Sequence, residues 1–232
     1  MSAARSVFRS SVVKKALMAA TGLGMIVFLI LHLAGNLTLL AGSADRYNAY
    51  SNLLTGLGPL LYGVEIGLVV LFLVHVIEAV AVWLEKRRAR PEPYQRTAHA
   101  GGPSRMGLSS RTMIWTGAFL LVFTVVHLKT FKFGPGIEQG YVATVHGTEM
   151  RDLYRLVSER FQQAGYVAFY VVSMVFLGMH LRHGFWSAFQ SLGIQGRRLT
   201  DWLYRFGLAL AVVLAAGYLV IPVWMYVRGG LP

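Results

Sequence analysis

Five apolar runs constrain this chain more than any other feature. They cover about residues 16–41, 59–83, 111–128, 165–189 and 202–227 of the 232. A helix needs about 20 apolar residues to cross a bilayer. Five such runs in a chain that is 55% hydrophobic, with mean hydropathy +0.53, predict an all-α integral membrane bundle in a single domain. The sequence shows no strand pattern, no internal repeat and no low-complexity segment. The first run is too long for the apolar core of a signal peptide, so it reads as an uncleaved span. Pro59 opens the second span, which suits a first helical turn. Residues 149–163 read as a further helix inside the longest loop.

The net charge of +12 distributes by side. Four basic residues lie in the N-terminal lead, seven lie between spans two and three through Arg111, and four lie around the fourth loop. Together they are 15 of the 22 Lys and Arg residues. The positive-inside rule then predicts a cytoplasmic N-terminus and an outer C-terminus. Trp83, Trp115, Trp186 and Trp202 fall near the predicted inner ends and Trp224 near the outer end, as interfacial anchors do. Basic residues flanking apolar runs meet anionic lipid, so no nucleic-acid role is expected.

Four of the five runs carry a histidine: His32, His75, His127 and His180. An ionisable residue within a span is costly and marks function by default. At ~1.5 Å rise per residue, His32 and His127 lie about 25 Å outward from the inner side. His75 and His180 lie about 22–24 Å inward from the outer side. The depths pair His32 with His127 and His75 with His180. Two imidazoles from different helices at one depth suit the two axial positions of a haem iron, so two haem b groups are expected. A zinc site would draw its ligands to one depth. With no cysteine in the chain, Cys-ligated iron–sulfur clusters are excluded. The competing reading is a proton-coupled transporter that uses the histidines with Glu65 and Glu78.

Around these ligands, His183 and Arg182 are candidates to touch a haem propionate or to support a ligand histidine. Asn36, Tyr50, Glu65 and Lys129 are candidates for quinone or proton contacts. Asn36 lies one turn beyond His32 on a similar helix face. Gly22, Gly24, Gly35, Gly67, Gly117 and Gly178 offer room for a macrocycle or for close helix packing. His99 and His146 fall in polar loops.

The stretches FLILHLAGNL, YNAYSNLL, PLLYGVEIGLVVLFLVH, ARPEPY, FTVVHLKTFKFG and GMHLRHGFWSAFQSLGI cover nearly the whole chain. In order and spacing the chain resembles the single-chain, five-helix, di-haem cytochrome b that anchors succinate dehydrogenase and fumarate reductase (complex II) in bacterial or archaeal cytoplasmic membranes. The resemblance implies the same pairing, His75 with His180 for the inner haem and His32 with His127 for the outer. It implies electrons passing from succinate through both haems to a quinone, menaquinone in most relatives. It implies a flavoprotein partner carrying covalent FAD and an iron–sulfur partner subunit, with no succinate site in this chain itself. Some relatives place a glutamate two residues before the fourth histidine, in a transmembrane proton path. Gly178 stands there in this chain, and that path is not carried over.

Overall fold

The computed structural model describes residues 10–89, 108–194 and 196–229. His99 and most of the ARPEPY stretch lie outside them. The described helices are α1 (Ser11–Asn36), α2 (Ala44–Thr55), α3 (Pro59–Arg88), α4 (Leu108–Arg111), α5 (Met113–His127), α6 (Leu153–Phe161), α7 (Ala164–Ser191) and α8 (Arg197–Val227). Five of them, α1, α3, α5, α7 and α8, lie in stretches long and apolar enough to cross a membrane. Their outward faces are apolar too. Leu60, Ile66 and Ile77 on α3 are each more than 60% exposed, and α3 buries no residue at all. A soluble helix turns that face inward. The chain is a multi-pass membrane protein.

The spans outrun their sequence-read limits. α1 begins at Ser11, α3 continues to Arg88, and α8 begins at Arg197. Their polar ends satisfy helical hydrogen bonds even where hydropathy has fallen. After Asn36 the chain tightens into a 3-10 turn, Leu37–Ala41, which stops at Gly42 with φ 67°. That left-handed conformation suits glycine.

The helical contacts divide the chain into two compact units. The first holds Met1–Phe28, Ile66–Gly117 and Met179–Ala211. Close approaches organise it. A Cβ on Gly207 would sit 2.8 Å from the Phe185 ring, and one on Gly24 would sit 3.2 Å from Leu71. Trp186 stacks on Tyr204 with ring centres 4.4 Å apart. Lys14 pairs with Glu85.

The second unit holds Leu29–Glu65, Ala118–Gly178 and Val212–Pro232. Here two sequence expectations are corrected, that residues 42–58 form a short loop and that the chain holds no strand. The segment after span one contains a full helix, α2, capped by Ser43, whose hydroxyl accepts from the Arg46 amide at 3.3 Å. The long loop contains a two-stranded antiparallel hairpin, β1 (Val142–Val145) with β2 (Thr148–Arg151), Val145 opposite Thr148. Its turn is His146-Gly147, with φ 50° and 79°. Two successive positive φ values make the tight turn whose twist matches a hairpin. His146 is therefore an exposed turn residue. Glu149 belongs to β2, and the helix expected over 149–163 is only α6. Strands of four residues are too short to register as an alternating pattern.

Two side chains join these pieces. Arg151 donates to the carbonyls of Pro135 (2.9 Å) and Gly134 (3.1 Å). Asn48, 1% exposed, donates to Asp152 Oδ1 and accepts from the Tyr154 amide, both at 2.9 Å. Directly after His127, α5 gives way to a π-helical turn, Leu128–Lys132. Such turns cluster at functional sites.

Candidate functional site

Each unit holds one histidine pair. In the first, His75 of α3 and His180 of α7 have ring centres 6.4 Å apart, with an interplanar angle of 66°. In the second, His32 of α1 and His127 of α5 are 5.9 Å apart at 87°. These are the pairs that depth predicted.

The separations admit a test. A metal–imidazole nitrogen bond is about 2.0 Å. A five-membered ring with sides of about 1.35 Å puts its nitrogen about 1.15 Å from the centre. Two imidazoles on opposite sides of one metal ion then have centres about 6.3 Å apart. The observed 6.4 and 5.9 Å lie close to that value. The interplanar angle is unrestricted, because each ring plane contains the shared axis at any rotation. Among the described residues no three His, Cys, Asp or Glu side chains gather as a metal site. A pair alone suits a metal that brings its own equatorial ligands, as haem iron does.

The second nitrogen of each ring decides which one can face a metal. His75 Nδ1 lies 3.1 Å from the Met18 carbonyl oxygen and 3.5 Å from Thr21 Oγ1. A carbonyl has no proton, so Nδ1 is the donor and Nε2 keeps its lone pair. His180 Nδ1 lies 3.2 Å from Thr116 Oγ1. That hydroxyl points its proton at the carbonyls of Thr112 and Met113, both 3.1 Å away. It is left to accept from Nδ1–H. His180 therefore has the same tautomer. Holding Nδ1–H this way orients a ligating imidazole and raises its basicity. In the second unit, His127 Nδ1 lies 3.0 Å from the Tyr170 hydroxyl. Asn36 donates to the His32 carbonyl at 2.8 Å, while its amide nitrogen reaches His32 Nε2 only at 3.4 Å, beyond the ordinary N–H hydrogen-bond range. All four rings are half-buried.

The glycines near the His75–His180 pair serve the second of the two uses expected of them, close packing between helices. A Cβ on Gly22 would lie 3.2 Å from His75 Cε1, and one on Gly117 would lie 3.3 Å from His180 Cε1. They make room for the imidazoles themselves. Gly35 makes room for Tyr50, whose hydroxyl an added Cβ would overlap. Gly67 meets no atom within 4 Å.

A repeat does exist. Met18-x-x-Thr21-Gly22 on α1 and Met113-x-x-Thr116-Gly117 on α5 are the same cradle, followed in each by Val-Phe (Val27-Phe28, Val122-Phe123) and by His-Leu eleven residues after the threonine. One helix face recurs while the residues between differ, so a reading for whole repeated units passes over it. Thr21 and Thr116 were legible only through this pattern.

The remaining candidates separate. Asn36 bonds the His32 backbone carbonyl, one turn back as its helix face predicted, and its Oδ1 accepts from Tyr47 at 3.3 Å. Burial pushes the Tyr47 phenol well above its ordinary value, so it stays a donor. Tyr47 had no sequence signal beyond the YNAYSNLL stretch. Glu65 pairs with Lys132, while Lys129 is exposed. His183 is half-buried one turn beyond His180, and Arg182 is exposed. Glu78 is half-buried on α3. Compared with protein-family models, curated proteins and solved structures, the chain matches none.

Proposed function

We propose that the chain is the membrane-anchor cytochrome b subunit of a succinate:quinone oxidoreductase, with His75 and His180 holding one haem b and His32 and His127 a second. One observation carries this reading. His75 and His180, from two helices, have ring centres 6.4 Å apart with both Nδ1 protons engaged, so their Nε2 lone pairs would be the ones to hold a haem iron. A haem iron held by these imidazoles would supply one-electron transfer.

The chain's own residues supply orientation and seclusion. Met18 and Thr116 set the ring tautomers of the inner pair, and Tyr170 holds His127. Phe123 stacks on the His127 ring, with centres 5.6 Å apart. Oxidation of succinate falls to partner subunits bearing FAD and iron–sulfur clusters, since this chain has no cysteine to ligate a cluster. The Lys- and Arg-rich inner side forms part of their docking face, with the N-terminus cytoplasmic. Asn36, Tyr47 and Tyr50, around His32, are the candidates for contact with a quinone, menaquinone by the resemblance.

A reduced-minus-oxidised spectrum of the purified protein tests the proposal. Two b-type haems per chain are expected, together with co-purifying flavoprotein and iron–sulfur subunits. Absence of b-type bands refutes it. His75→Ala and His180→Ala should each remove the same haem and leave the other.

A further inference from the structure

We infer that Thr116 is the positioning residue that sets the basicity of His180, and that Thr21, its counterpart in the repeated cradle, has no such role toward His75. The inference rests on the bis-histidine haem reading above. The two threonines occupy the same place in Met-x-x-Thr-Gly, and each turns its hydroxyl proton onto carbonyls three and four residues back. Their imidazoles do not engage them equally. His75 Nδ1 is nearer the Met18 carbonyl, 3.1 Å against 3.5 Å to Thr21 Oγ1. For His180 the recorded acceptor is the Thr116 hydroxyl at 3.2 Å. Removing the Thr21 hydroxyl leaves the carbonyl in place and relieves it of a competing donor. Removing the Thr116 hydroxyl leaves Nδ1–H facing a methyl group.

The chemical consequence has a sign. An acceptor on Nδ1–H pushes electron density onto Nε2 and stabilises the more positive, ferric iron. Without it the reduced state gains. Thr116 is 3% exposed, so water does not readily replace the lost acceptor.

The test is a potentiometric titration of the intact membrane complex, followed optically and by EPR of the ferric haems. The readout is the b component that the His180→Ala chain lacks. Thr116→Val should shift its reduction equilibrium about tenfold toward the reduced form, about 59 mV for one electron. Thr116→Ser, which keeps the hydroxyl, should titrate as wild type. Thr21→Val should stay within a factor of about two. Equal shifts for Thr21→Val and Thr116→Val overturn the inference, as does an unshifted Thr116→Val. If Thr116→Val fails to assemble that centre, Thr116→Ser decides. A wild-type potential supports the role of the hydroxyl, and a shifted or missing component overturns it. A wild-type complex without b-type bands instead sinks the haem reading itself.

Discussion

Replacing Asn48 by alanine should destabilise the protein by several kcal/mol without touching either histidine pair. α6 begins at Leu153, and its first turn leaves backbone donors without helical partners. Asp152 caps one of them, accepting from the Arg155 amide at 3.0 Å. The Tyr154 amide is taken instead by Asn48 Oδ1, from a residue more than a hundred positions earlier in the chain. Asn48 also donates to Asp152 Oδ1 and so holds the capping carboxylate in place. Alanine strands a buried N–H, which costs about 1–3 kcal/mol, and removes a bond to a charged acceptor worth about 1.5–3 kcal/mol. Allowing for overlap, the loss is about 3–5 kcal/mol. In a chain of this size that lowers the melting temperature by roughly 10 °C. Thermal unfolding of the detergent-solubilised protein measures it. Asn48→Asp adds a second arm. It keeps an acceptor for Tyr154 but sets two carboxylates against each other at neutral pH. Acidification protonates one of the two, which can then donate to the other. Stability relative to wild type should therefore recover as pH falls below about 5. A melting temperature for Asn48→Ala within about 2 °C of wild type would refute the reasoning.

Gly35→Ala should be poorly tolerated, because the added Cβ would overlap the Tyr50 hydroxyl; Gly35→Ala with Tyr50→Phe should recover part of the loss in yield of folded protein. Gly117→Ala, whose Cβ meets His180 Cε1 at 3.3 Å, should fold and retain the haem proposed at His75 and His180, whereas Gly117→Leu should lose it, as read by haem per chain. Tyr170→Phe deprives His127 Nδ1 of its hydroxyl partner and should shift the midpoint of the haem proposed at His32 and His127 while leaving the one proposed at His75 and His180 unmoved. Lys132→Ala should change thermal stability by less than about 1 kcal/mol, since the Lys132–Glu65 pair is partly exposed.

Hydropathy alone identifies the five long helices, because a span must satisfy its own backbone and present apolar side chains to lipid over its whole length. Counting rise per residue places the four histidines at two depths, and both pairs meet as that count requires. Spacing along a helix also brings Asn36 onto His32. These properties are local to one helix or additive along it, so they survive without knowledge of the packing. What surrounds each imidazole is not local. Thr116 meets His180 across 64 positions, Tyr170 meets His127 across 43, and Met18 offers His75 a backbone carbonyl that no side-chain pattern announces. The choice between Nδ1 and Nε2 as the outward nitrogen therefore belongs to tertiary structure, since it depends on which helix brings an acceptor to the other edge of the ring. The hairpin and the Asn48–Asp152 junction have the same origin. Four-residue strands and a single buried amide carry too little periodic signal to be read alone, and they gain their meaning from what the fold sets against them.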